Sequence, residues 1–228
     1  ANLLIVDQIK KVVEEIKPTH LLHLAWYTVP GKYWNSEENL SWVQASIELI
    51  RQFTRNGGER IVVGGSCAEY DWRYGYCSEG ITPTTSSTVF GVCKNILQQL
   101  LRVFSIQECI SHAWARMFHV YGPYEHPDRL VAYVIRSLLK GEVARCSQGT
   151  QIRDFLHVSD VANACVRLLD SQVSGPVNIA SGCPVTLREI IQKIGDGIGC
   201  PQLLEFGAIP ISDNDPHFLS ADVSRLSR

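Results

Sequence analysis

Short, nearly uninterrupted apolar runs alternate with amphipathic helical segments through the first half of the chain, and few folds accept that rhythm. Ile5, Ile9, Val12, Val13 and Ile16 recur at helical spacing, and Pro18 stops the pattern. His20–Leu24 follows as a compact apolar run suited to a buried strand. Asn39 to about Asn56 repeats the helical pattern and closes at Gly57–Gly58. Arg60–Gly64 then reads as a β-branched strand, Phe90–Ile106 as a helix and Ile110–Arg116 as a further strand. Strands this short and apolar are buried on both faces, and helical crossovers between them make neighbours parallel. The expected fold class is α/β, a Rossmann-like doubly wound parallel sheet.

From about Val120 the rhythm changes. A helix over Arg129–Lys140 precedes candidate strands at Val143–Cys146 and Arg153–His157, a helix over Val158–Leu169, a turn at Gly182–Pro184 and a helix over Leu187–Ile198. Residues 1–122 are expected to form part of a dinucleotide-binding domain, to which Val177–Ile179 can return. Residues 123–228 mainly build a smaller C-terminal substrate lobe. Ligand then belongs between the two, beyond the carboxyl ends of the strands. No GxGxxG or GxxGxxG occurs, and the chain opens on what reads as a later helix. The first βαβ unit of such a sheet is expected to be missing from these residues.

Composition narrows the function classes. Net charge is −2 with histidine neutral, and no basic run marks a nucleic-acid partner. Acidic ligands must be held by placed arginines. The eight cysteines form no CxxC pair, so no metal site and no disulfide framework is expected; they read as reduced thiols of a cytoplasmic protein. The apolar stretches are too short to span a bilayer, and Asp7, Lys10 and Lys11 break any signal-peptide core.

Five segments carry chemistry, in the order His23–Trp26 (HLAW), Ser66–Tyr70 (SCAEY), Phe90–Lys94 (FGVCK), Arg116–Pro123 (RMFHVYGP) and Arg153–Asp160 (RDFLHVSD). Ser66 follows two glycines at a strand end, where a hydroxyl can donate and accept a proton. Phe90 and Lys94, four apart on a helix, face the same way. Arg153 offers a forked guanidinium suited to a diphosphate. Together the segments resemble the extended short-chain dehydrogenase/reductase family, in particular its NAD-dependent epimerase/dehydratase branch acting on nucleotide sugars.

The resemblance implies that Leu24, Ala25, Trp26, Gly64, Lys94 and Phe118 line the cofactor, NAD or NADP. It implies that Ser66, Phe90 and Lys94 hold the catalytic positions, and that His119, Arg153 and Asn178 meet the substrate. Trp26 departs from the family's small residue, and His119 replaces an asparagine. Cys67 and Ala68 stand where dehydratases carry an Asp–Glu pair, which argues against water elimination. Alternation on an extended segment would point Glu69 the wrong way to help. Asp154 is expected to orient Arg153, and Asp160 to cap the following helix. An arginine that commonly adds a second phosphate contact is not evident in Ile209–Asp222.

The largest departure is Phe90, at the position of the family's acid/base tyrosine: phenylalanine has no proton to give. An engineered Tyr→Phe trap, a naturally non-catalytic relative and catalysis through another acid, with Tyr70, Tyr74 or Tyr76 as substitutes, all stay open. The expected function is an NAD(P)-dependent oxidoreductase on a nucleotide-diphosphate sugar, of 4-keto-reductase or epimerase type. The alternatives are a non-catalytic binding or regulatory protein on the same fold, and a reductase for non-sugar substrates. The resemblance also admits a homodimer joined through a four-helix interface.

Overall fold

The computed structural model describes residues 1–213 and 215–227. The chain opens with α1 (Val6–Ile16), β1 (His20–His23), α2 (Glu38–Arg55), β2 (Arg60–Ser66), β3 (Tyr76–Cys77), α3 (Val89–Gln107) and β4 (Ser111–Met117). It continues with β5 (His119–Tyr121), α4 (Leu130–Leu139), β6 (Ala144–Cys146), β7 (Ile152–Arg153), β8 (Phe155–His157) and α5 (Val158–Asp170). It closes with β9 (Gly175–Ile179), β10 (Val185–Thr186), α6 (Leu187–Ile198), β11 (Leu204–Phe206) and β12 (Phe218–Ala221).

The large sheet runs β1-β2-β4-β9 with every pairing parallel. One face is covered by α5, whose Val161, Cys165 and Leu168 bury against Val62, Ala113, Ala115 and Val177. The other face takes Ile50 and Phe53 of α2 and Leu97 and Leu101 of α3 against Ile61, Val63 and Trp114. Helices on both faces explain why these strands are apolar throughout. The guanidinium of Arg60, buried at the sheet's base, donates to the carbonyls of Leu168 at 2.6 Å and Val173 at 2.8 Å and to Ser111 Oγ at 2.6 Å. It ties the end of α5 to the strands.

The remaining strands form smaller pieces: a four-stranded sheet β10-β7-β12-β3 and the pairs β11-β6 and β5-β8. α4 and α6 close over β6 and β11 through Val134, Leu138, Ala144, Cys146 and Ile191. A capping box starts α6, with Thr186 Oγ1 accepting from the Glu189 N–H and Glu189 accepting from the Thr186 N–H.

Two details differ from the sequence expectation. The run Arg153–His157 is two strands broken at Asp154, because that carboxylate turns inward to accept from the Ser181 N–H, Ser181 Oγ, the Gly182 N–H and Ser220 Oγ. Asp154 therefore braces the loop after β9 and does not orient Arg153. Asp160 does not cap α5 either. His157 is the N-cap, accepting from the Ser159 N–H, and Asp160 lies in the first turn. No helix among the described residues is long and apolar enough to cross a membrane.

Candidate active site

A cleft of about 2070 Å³ opens at the carboxyl ends of β1, β2 and β4. Its floor is built by two close approaches that only glycine permits. A Cβ on Gly65 would stand 2.1 Å from Trp114 Nε1, and one on Gly91 2.2 Å from the Ala68 carbonyl oxygen. Gly65 leaves room for the Trp114 indole and the Glu69 carboxylate under the strand end, and Gly91 lets the start of α3 press onto the turn after β2. Lys94, on the same helix, reaches the end of β2 at Gly64.

Ser66 ends β2 and caps the turn, its Oγ accepting from the Ala68 N–H at 3.2 Å. The Lys94 ammonium is buried and donates to the Gly64 carbonyl at 2.7 Å. The Trp26 ring covers it, with its centroid 3.8 Å from Nζ. Burial pulls this ammonium down to about 7, with Glu69 opposing the shift. Trp26 is held in turn, its Nε1–H donating to Asn39 Oδ1 at 2.8 Å. Leu24, Trp26 and Gly64 line the cleft, whereas Ala25 between the first two is exposed outside it.

Phe90 lies on the same wall, 5% exposed, and packs edge-on against Tyr33 at 4.9 Å and Trp34 at 5.9 Å between ring centroids. Trp72 continues this aromatic wall, 5.8 Å from Trp34. Phe118, His119 and Arg153 also line the cleft. His119 packs on Phe155 at 5.5 Å, and its Nδ1 is buried with no hydrogen-bond partner. Burial and then the Arg153 charge pull this imidazole down to about 4, so it stands neutral. Arg153 is buried and paired with Asp215 at 2.5 Å.

Asn178 is not brought to this cleft. It is fully buried in β9, where Oδ1 accepts from Tyr70 Oη at 2.8 Å and Nδ2 donates to the carbonyls of Cys77 and Asp222, each at 3.0 Å. It ends a buried network beneath the floor. Glu69, with 0% exposure, accepts from Trp114 Nε1, from Arg116 Nε at 2.7 Å and from the Ser66 N–H at 2.8 Å; Arg116 then donates to Tyr70. Cys67–Glu69 is a helical turn and not the extended segment expected, and it directs Glu69 under the floor and out of the cleft lining.

The suggested substitutes for the missing tyrosine do not serve. Tyr70 is locked in that network, and Tyr74 and Tyr76 are exposed and do not line the cleft. Tyr33, Trp34, Trp72, Arg129 and Asp215 do line it and escaped the motif reading. For Tyr33, Trp34 and Trp72 the one sequence signal is the density of aromatic residues in Lys32–Asn35 and Tyr70–Tyr76.

A profile described as the NAD dependent epimerase/dehydratase family matches residues 1–180. The chain belongs to this family. Among its curated relatives, CDP-abequose synthase of Salmonella typhimurium is 29% identical over 142 residues, 59% of this chain and 48% of that protein. The dTDP-6-deoxy-L-talose 4-dehydrogenase (NAD(+)) of Aggregatibacter actinomycetemcomitans is 25% identical over 198 residues, 84% of this chain and 71% of that protein. Among solved structures, UDP-N-acetylglucosamine 4-epimerase from Methanobrevibacter ruminantium M1, in complex with UDP-N-acetylmuramic acid, superposes with a TM-score of 0.89 at 22% identity, over 100% of this chain and 74% of that one. That likeness concerns the fold alone. The chain spans about half or less of the length of most curated relatives it matches.

Members of the NAD dependent epimerase/dehydratase family use NAD, and one observation tests the fit here. Lys94 has three N–H donors in a buried position, with one carbonyl and one ring face as partners. It has capacity left for the hydroxyls of a ribose. The residues present fit the nicotinamide end of NAD.

Proposed function

We propose that this chain forms part of an NAD(P)-dependent oxidoreductase acting on a nucleotide-diphosphate sugar, of 4-keto-reductase or epimerase type. The observation that carries the reading is the shared cleft, which Ser66, Lys94, His119 and Arg153 all line. When bound, the cofactor supplies hydride exchange at a ring carbon of the sugar. Ser66 steadies the oxygen on that carbon by hydrogen bonding. Lys94 holds the ribose against the ends of β1 and β2, while Trp26 excludes water from its ammonium. The Arg153 guanidinium meets the diphosphate, sharing it with Asp215, and neutral His119 donates one hydrogen bond beside it. Residues 1–122 with β9 serve as the dinucleotide-binding part, and the lobe after residue 122 serves the substrate.

The test is reduced-cofactor oxidation with a nucleotide-linked 4-keto-6-deoxyhexose. Oxidation that depends on the keto sugar is the expected result, and Phe90→Tyr, which adds a hydroxyl at the position of the family's tyrosine, is expected to retain it. Silence of both proteins with ligand bound favours a second reading, a non-catalytic binder. Phe90 inside an aromatic wall and Trp26 over Lys94 both suit that role.

A homodimer is part of the proposal. Val89, Val92, Ile96, Leu100, Val103 and Ile106 form one apolar stripe along α3, each between 37% and 70% exposed. A stripe of that length on one helix suits a partner helix from a second copy.

A further inference from the structure

We propose that Tyr33 supplies the proton that Phe90 cannot, acting as the acid of a carbonyl reduction. The inference rests on the oxidoreductase reading above. Tyr33 lies in the short helical turn Tyr33–Asn35 between β1 and α2, outside every motif segment. Its ring meets the Phe90 ring edge-on at 4.9 Å and lines the cleft that holds Ser66 and Lys94. Its hydroxyl is turned to Arg129, the residue before α4. The ring is buried with Phe90 and Ala68, and Ala68 lies in the turn that Ser66 caps, so Tyr33 packs at the Ser66 side of the cleft.

The turn is braced for this task. Asn39, fully buried, donates from Nδ2 to the Tyr33 carbonyl at 2.7 Å, and Asn35 Oδ1 accepts from the Val89 N–H at 3.3 Å. Tyr33 is thereby fixed to the first turn of α3, one residue from Phe90. A catalytic group held by packing and backbone contacts loses little entropy on meeting its substrate.

The step balances as follows. The carbonyl carbon of the sugar accepts the hydride that a reduced nicotinamide supplies, NAD(P)H becoming NAD(P)⁺. The π pair of the carbonyl moves onto oxygen, which takes the Tyr33 proton and becomes a hydroxyl. The phenolate left behind sits against the Arg129 guanidinium and takes a proton back from water at the cleft mouth.

The environment sets a direction. Burial pushes the Tyr33 phenol up to about 12, with Arg129 pulling the other way. At neutral pH this phenol is a donor and not a base. An alkoxide formed by hydride transfer is a stronger base and can take its proton, whereas an alcohol awaiting oxidation would find no acceptor. Tyr33 therefore favours ketone reduction over the alcohol oxidation that opens an epimerase cycle.

The test uses the full chain, its Tyr33→Phe and Phe90→Tyr variants and the double variant, assayed with NADH and NADPH against dTDP- and CDP-4-keto-6-deoxyglucose. The expected result is turnover by the parent protein, a loss of at least fiftyfold in kcat with little change in KM for Tyr33→Phe, and recovery in the double variant. A cofactor-free readout accompanies it: 3-fluorotyrosine at position 33, whose ¹⁹F resonance should move with UDP-, CDP- or dTDP-glucose and stay put with the nucleoside diphosphates alone. A Tyr33→Phe variant within twofold of the parent, or a resonance that ignores the sugar, overturns the proposal. A silent parent with an active Phe90→Tyr variant overturns Tyr33 while leaving the oxidoreductase reading intact. Silence in all four proteins overturns both.

Discussion

Lys94 buries an ammonium beneath an indole, and its proton balance is the most consequential single-residue quantity in the cleft. Its folded pKa of about 7 lies below the value near 10.5 expected of an unfolded lysine. Between those values the unfolded chain binds a proton that the folded chain has released, so stability rises with pH across that window. Thermal melts from pH 7 to 9.5 should show that rise, and Lys94→Met should remove its share of it. Binding of NAD should weaken over the same range in the parent protein, since the charge that holds the ribose is lost. A flat affinity from pH 6 to 9 would contradict this role. At this scale Ser66, Lys94, His119 and Arg153, read through the family resemblance of the short motifs that hold them, all line the cleft. The sequence did not expose Tyr33, whose loop has no periodicity from which a direction follows. It misled about Asn178, because side-chain direction in a central strand depends on register: Asn178 is paired with Arg116, and both join the network under the floor.

The same network and the outer face of α3 are the features to probe among the elements. Glu69→Ala leaves the Arg116 guanidinium buried without its carboxylate and should cost about 3–5 kcal/mol, read from denaturant unfolding. A loss under 1 kcal/mol would mean that water replaces the carboxylate. Leu100→Glu sets a charge in the middle of the apolar stripe and should convert a dimer to monomers in sedimentation velocity, with the circular dichroism spectrum unchanged. A parent protein that sediments as a monomer would remove the dimer proposal. The helices were legible within about a residue or two, since each carries a strong apolar period and a clear stop, as Pro18 does after α1. Strands of two to four residues such as β3, β10 and β12 were not, because so short a segment shows no alternation. The break at Asp154 was invisible for another reason: the loop it braces, at Ser181 and Gly182, lies 27 and 28 residues away.

Across the whole molecule, the parallel sheet and the smaller strand groups both line one cleft, and the proposed chemistry draws on both. The parallel sheet supplies the floor, where the close approach at Gly91 seats α3 on the turn after β2 and Lys94 reaches the Gly64 carbonyl. The smaller strands carry Arg153 and His119 to the same cleft, and the α4 side brings Arg129 toward Tyr33. Alternating helices and apolar strands made the sheet readable from sequence, but the relation of the lobes arises from long-range pairings such as β12 with β7 and β3. Isothermal titration of the full chain with UDP-, CDP- and dTDP-glucose, repeated with Arg153→Ala, tests the shared cleft most directly. Loss of a charged hydrogen bond to the diphosphate should weaken the tightest of these by about tenfold to a hundredfold. An affinity that Arg153→Ala leaves unchanged would mean that the diphosphate is not bound between these walls.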